Sequence, residues 1–175
     1  MSEEMTPEMI PHVHSDGRFI EWLPRSEIHR RRLVHRSIHV LVFHPDGRLL
    51  VQLRHRDKQT FPHYWDVSCS GHVDSTDHPA DDGEHAESVF WSAARREISE
   101  ELGVSPELEF VRYCPPVPGL NYEYAGLFHA ICSGPFNIQA EELEEVRWVT
   151  LESLRSLSPI TPNLNWLIES GDVWR

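Results

Sequence analysis
Ala93-Ala94-Arg95-Arg96-Glu97-Ile98-Ser99-Glu100-Glu101-Leu102-Gly103-Val104 holds three carboxylates, Glu97, Glu100 and Glu101, spaced three and four residues apart. At 3.6 residues per turn these positions share one helix face, so their side chains project into one small volume. Like charges at this spacing repel by roughly a few tenths of a kcal/mol per exposed pair. The cluster persists either solvated or neutralised by a cation, and Mg2+ or Mn2+, which prefer oxygen ligands, suit an all-carboxylate face. A solvated acidic face is the ordinary reading of a bare run of this kind. The flanks argue against it. Ala93 and Ala94 allow close packing, Ile98 and Leu102 stand i, i+4 on the opposite face, and Gly103 is placed to end the helix in a left-handed cap.

Outward from this helix, expected from about Glu84 to Leu102, the rest of the 175-residue chain reads as one domain with an ample core. No stretch approaches the roughly 20 apolar residues that cross a bilayer, and Met1-Ser2-Glu3-Glu4-Met5 lacks the basic and apolar regions of a signal peptide. A cytoplasmic protein without membrane association is expected. Cys69, Cys114 and Cys132 are odd in number and lack C-x-x-C spacing, so they are expected reduced and mostly buried. A formal charge of −12 argues against binding a nucleic-acid polymer over a broad surface. A phosphorylated substrate is then small, held by metal and local arginines.

Phe19 to Leu23 alternates like a short strand, and no chemistry is indicated in the N-terminal stretch, residues 1–25, which is expected to pack as an extension on a domain spanning 26–175. Ser37 to Phe43 and Arg48 to Leu53 read as strands joined through His44-Pro45-Asp46-Gly47, where Asp-Gly favours a hairpin. Further strands are expected at Trp65 to Ser68, Leu108 to Tyr113, Tyr122 to Ile131 and Glu145 to Val149, with short helices at Leu151 to Ser156 and Asn163 to Glu169. An α/β fold with a mixed sheet between helices follows.

The run from Ala93 to Val104 resembles the second half of the Nudix box, R-E-x-x-E-E-x-G, with every fixed position present. The resemblance implies the Nudix α/β/α sandwich. It also implies divalent-metal-dependent hydrolysis of a diphosphate bond in a small substrate, a nucleoside diphosphate linked to another moiety. Glu97, Glu100 and Glu101 would hold Mg2+ or Mn2+, with the Gly71 carbonyl as a further oxygen, and Arg96 would orient the glutamates or meet phosphate. The general base would be a box glutamate, Glu142 or Glu123. Dimers are common in the family, so the resemblance admits a homodimer.

A second resemblance, over roughly Ser26 to Leu154, is to the Nudix branch related to isopentenyl-diphosphate isomerase. Leu49-Leu50-Val51-Gln52-Leu53-Arg54 with Asp57-Lys58, and Trp65-Asp66-Val67-Ser68 before Ser70-Gly71-His72-Val73, carry it. His35, His72 and Glu123 fall at positions matching that branch's metal and catalytic residues. His29 lies within one residue of another, and Asn121 replaces a carboxylate. The protonating cysteine two residues before the loop histidine is here Ser70, and Cys69, one place earlier on a strand, points to the opposite face. A hydroxyl does not readily take that acid/base part, so hydrolysis is favoured over isomerisation. A non-catalytic nucleotide-binding module is a third reading, opposed by the intact glutamates.

The first half of the box is irregular. Gly71 to Arg96 spans 25 positions where the family has fourteen, a surplus of eleven. Asp77 supplies the box's first carboxylate if the insertion follows it. Glu84 supplies it if the insertion precedes, and Glu87 is a rival. The polar, proline-bearing stretch from Asp77 to Asp82 suits an inserted loop, which favours Glu84 as a metal-site residue. Phe61, Tyr64, Trp65, Tyr122 and Tyr124 are aromatics able to stack a base, and Arg54, Arg56 and Lys58 are basic groups able to meet phosphates.

Overall fold
The computed structural model describes residues 7–78 and 86–173, excluding the side chain of Ala86. Among these, nine strands form one mixed sheet around β3 (His35–Phe43), all nine of whose residues are buried. β1 (Met9–Val13) and β2 (Phe19–Pro24) form an antiparallel ribbon that meets β3 at His12 and His35. α1 (Arg25–Arg31) leads into β3, and β4 (Leu49–Arg54) follows the Asp46-Gly47 turn, where Gly47 takes a φ of 92°. The strand expected over Trp65 to Ser68 is divided into β5 (Trp65–Asp66) and β6 (Cys69–His72). Ser68 causes the break by turning inward. Its hydroxyl donates to the Leu50 carbonyl at 2.6 Å and accepts from the Val42 amide at 2.8 Å, tying β4 to β3.

α2 (Ala86–Leu102) carries the glutamates; β7 (Leu108–Cys114), β8 (Glu123–Ile131), β9 (Leu143–Val149), α3 (Leu151–Leu154) and α4 (Pro162–Ser170) complete the chain. β8 runs parallel to β3 along its whole length, while β6, β7 and β9 pair antiparallel with β3, β8 and β4. Alternation along β3 sends Ile38, Val40 and Val42 into a core under α2 with Val89, Phe90, Ile98 and Leu102. Leu41 and Phe43 enter a second core with Leu154, Leu164 and Leu167 of α3 and α4. The result is the α/β/α sandwich. No helix among the described residues is long and apolar enough to cross a membrane.

Candidate active site
Glu97, Glu100 and Glu101 share one face of α2, turned toward β6. Gly103 ends the helix at φ 66°, donating its amide to the Ser99 carbonyl, and the segment after β8 satisfies the last carbonyls through Asn137 to Leu102 and Gln139 to Glu101. At Gly71 a Cβ would occupy the place of the Glu97 carboxylate and displace it. This glycine is therefore required by the close approach of β6 to the helix.

Arg96 organises the face. Its Nε and Nη2 donate to the two carboxylate oxygens of Asp77 at 3.0 and 2.8 Å, Nη1 to Glu97 at 2.8 Å and Glu100 at 3.4 Å, and Nη2 to the His72 carbonyl at 3.0 Å. Burial disfavours the guanidinium charge, but the hydrogen bonds it donates to Asp77 and the charges of Glu97, Asp77 and Asp74 outweigh it and raise the pKa. The six-residue step from Gly71 thus ends on Asp77, which is clamped by Arg96. The alternative that takes Asp77 as the box's first carboxylate, with the surplus residues after it, is the one whose side chain is in view. Glu84 itself lies outside the described residues. Glu87 sits exposed in the first turn of α2 and does not line the cavity described below.

The glutamates differ sharply in environment. Glu100 is half exposed, whereas the Glu101 side chain is buried against Cys69 with one carboxylate oxygen lacking any hydrogen-bond partner. Burial, then repulsion between the carboxylates, pushes Glu101 up to about 8, and burial pushes Glu97 up to about 7. A buried carboxylate with an orphaned oxygen beside two more carboxylates fits a divalent cation with oxygen ligands.

The three glutamates line a cavity of about 460 Å³ that is also lined by His29 of α1, His35 of β3 and His72 of β6. One ligand atom from each lies within 4.8 Å of the others. The His35 Nδ1 contacts the Leu33 carbonyl at 2.9 Å, which assigns that nitrogen the proton and leaves Nε2, buried without a partner, as a free lone pair. Burial, then the charge of His72, lowers His35 to about 4, so it is neutral at pH 7. The trio fits a metal with nitrogen ligands. Asn121 and Glu123 stand beside it, Asn121 donating to Asn163 at 3.0 Å and Asn163 to Glu123 at 3.1 Å.

Glu142 also lines the cavity, ion-paired with Lys58, and Arg54 lines it while bonding Asp66 at 3.1 Å. Arg56 does not; it holds Glu144 at 2.7 Å. Of the aromatics, Phe61 and Tyr122 reach the cavity, whereas Trp65 packs in the core under Arg147 and Tyr124 stacks on Tyr113. Ser70 lines the cavity, opposite His39 in the β3–β6 register, while Cys69, opposite Val40, points into the α2 core. Sequence reasoning missed Glu8, Arg25, Ser37, His39 and Gln139, all of which line the cavity. For Ser37 and His39 the signal was present: they follow His35 at the period of two that puts strand residues on one face.

A NUDIX domain family model matches residues 33–167, and the chain belongs to the Nudix family. It is similar to an uncharacterized Nudix hydrolase of Pseudomonas aeruginosa, 34% identical over 162 residues, covering 89% of this chain and 88% of the relative. It is also similar to an isopentenyl-diphosphate delta-isomerase of Streptomyces avermitilis, 34% identical over 149 residues, covering 81% of this chain and 70% of the relative. A crystal structure from Deinococcus radiodurans shares the fold at a TM-score of 0.76 and 19% identity, covering 93% of this chain and 98% of that one. The chain is a Nudix hydrolase by family, and such hydrolases break diphosphate bonds with the help of divalent metal.

Proposed function
We propose that this protein, in the cytosol, hydrolyses the P–O–P bond of a small nucleoside diphosphate derivative, using Mg2+ or Mn2+ on Glu97, Glu100, Glu101 and the Gly71 carbonyl. The observation that carries the reading is the buried Glu101 carboxylate, with an oxygen left without a protein partner, opening with Glu97 and Glu100 onto a cavity that also presents Lys58 and Arg54. When bound, the divalent ions neutralise the diphosphate and acidify the attacking water. Arg96 holds Glu97 and Glu100 in place. Lys58 and Arg54 receive phosphate oxygens, and once Lys58 has turned to phosphate, Glu142 is free to accept the proton of water. Glu123 is less suited to that part, because Asn163 already engages its carboxylate.

The histidine trio supports a second ion with nitrogen ligands, Zn2+ or Mn2+. It also supports the second reading, isomerisation of an isoprenoid diphosphate, but the cavity then offers the Ser70 hydroxyl where a thiol is needed. Phosphate-containing products from a panel of nucleotide, nucleotide-sugar, dinucleotide and isoprenoid diphosphates test the proposal. Glu100→Gln and Glu101→Gln are expected to lower turnover by roughly a thousandfold or more, the several kcal/mol that a cation's charge stabilisation is worth, with the fold intact. Turnover retained in both variants would sink it.

A further inference from the structure
β3 lines the cavity and forms its floor. His35, Ser37 and His39 share one face of that strand, which turns apolar beyond them at Leu41 and Phe43. Ser37 is 2% exposed and His39 5%, yet the Ser37 hydroxyl and the His39 Nδ1 have no hydrogen-bond partner in the protein. A buried polar atom without a partner costs about 1–3 kcal/mol. A strand serving only as core would carry apolar side chains here, as it does two residues further on. Neither atom belongs to the carboxylate face or to the histidine trio.

A hydroxyl both donates and accepts, so it can satisfy either atom, whereas a hydrocarbon laid over this floor would leave both permanently unpaired. The adjoining wall is of the same kind: Asn121, Asn163 and Glu123 are joined by hydrogen bonds within the cavity. Apolar contact is confined to a few side chains such as Phe61 and Leu120. We propose that Ser37 and His39 read hydroxyl groups of the substrate, so that the moiety carried on the diphosphate is a sugar or another polyol and not a hydrocarbon. This rests on the hydrolase reading for its chemistry. Water's oxygen bonds to one phosphorus as the bridging P–O bond breaks, two phosphate monoesters leave, and one proton passes to solvent. The floor decides which ester is held, not how it is cleaved.

The test is a matched pair with five carbons on the same leaving group: ADP-ribose and the n-pentyl ester of ADP, each with Mg2+. The ribose ester is expected to be cleaved with at least a tenfold higher kcat/KM, and Ser37→Ala to reduce that ratio about tenfold without lowering Tm, since it removes an unsatisfied buried group. His39→Gln, which keeps a polar atom, should leave part of the preference. Equal rates for the two esters overturn the proposal. So does a Ser37→Ala protein that loses both activities alike or loses stability, because the hydroxyl is then structural. Calorimetric binding in Ca2+, whose longer oxygen distances disfavour turnover, separates this proposal from the hydrolase reading. Preferential ribose-ester binding with no cleavage of either ester leaves the floor standing and removes the hydrolase. Cleavage without preferential binding does the reverse.

Discussion

The two candidate ligand sets of the cavity are built in opposite ways. In one set, three carboxylates come from a single helix, and one arginine on that helix, anchored on Asp77, holds Glu97 and Glu100. In the other, three imidazoles come from α1, β3 and β6, elements joined only by the fold. The first set is electrostatically strained, like charges held together by a half-buried guanidinium. At the second, burial, then the charge of His72, lowers the His35 pKa to about 4, and partial desolvation of the otherwise exposed His29 lowers its pKa as well. An oxygen set that repels itself calls for a hard cation, while a nitrogen set suits a softer one.

The comparison can be broken at Arg96. Arg96→Ala would leave the buried Asp77 carboxylate, Glu97 and the His72 carbonyl without their shared donor. The expected loss is about 3 kcal/mol in denaturant unfolding, the lower end of the range for breaking a buried ion pair because Arg96 keeps some exposure. Arg96→Lys should recover only part, since an ammonium cannot reproduce the two-pronged bond to Asp77. If Arg96→Ala unfolds at the same denaturant concentration as the parent, Arg96 does not organise this set. The histidine set should behave otherwise. His29 is exposed, so His29→Ala is expected to leave stability within about 0.5 kcal/mol. Zn2+ affinity, read by competition with a chelating dye, should fall about a hundredfold, the scale on which a metal site responds to losing support. Unchanged Zn2+ affinity would mean that the trio is a hydrogen-bonded structural cluster.

The same contrast decides what was legible in the sequence. Glu97, Glu100 and Glu101 could be placed on one face because helical period is a local property, and Gly103 marked where the face ends. The hairpin at Asp46-Gly47 was equally local. The histidine trio has no period, since its members lie 6 and 37 residues apart, and only the family resemblance brought them together. Asp77 was weighed and set aside because an inserted loop hides its spacing; the tight turn from Asp74, whose amide donates to the Asp77 carboxylate at 3.0 Å, brings the shorter acid within reach of Arg96. β1 and α1 left little trace. α1 has seven residues, no side-chain cap at Pro24 and a left-handed exit at Arg32, so tertiary contact and not propensity holds it. Burial of the aromatics could not be read either, because Trp65 and Tyr122 look alike until the register assigns one to the core and the other to the cavity.

A pH titration without metal isolates the strain in the carboxylate set. Glu97 and Glu101 are held at about 7 and about 8 against an ordinary 4.5, so between pH 4.5 and 8 the folded protein binds more protons than the unfolded chain. Their contribution to stability is greatest at the acid side of that window and is lost as the pH rises through it. His35 works in the other sense: its pKa of about 4 lies below the ordinary 6.5, so stability is lost as the pH falls through that interval. The two slopes oppose one another up to pH 6.5. Above it, His35 is neutral in both states and only the glutamates remain. From pH 6.5 to 8 the metal-free protein should therefore lose about 2 kcal/mol of unfolding free energy, most of it through Glu101. Saturating Mg2+ binds the charged carboxylates and should reduce this loss, so that the stabilisation given by the ion grows across the same interval. Glu101→Gln should flatten the metal-free profile. A profile equally steep in that variant would place the strain elsewhere than at the buried carboxylate, and the asymmetry between the two sets would lose its electrostatic basis.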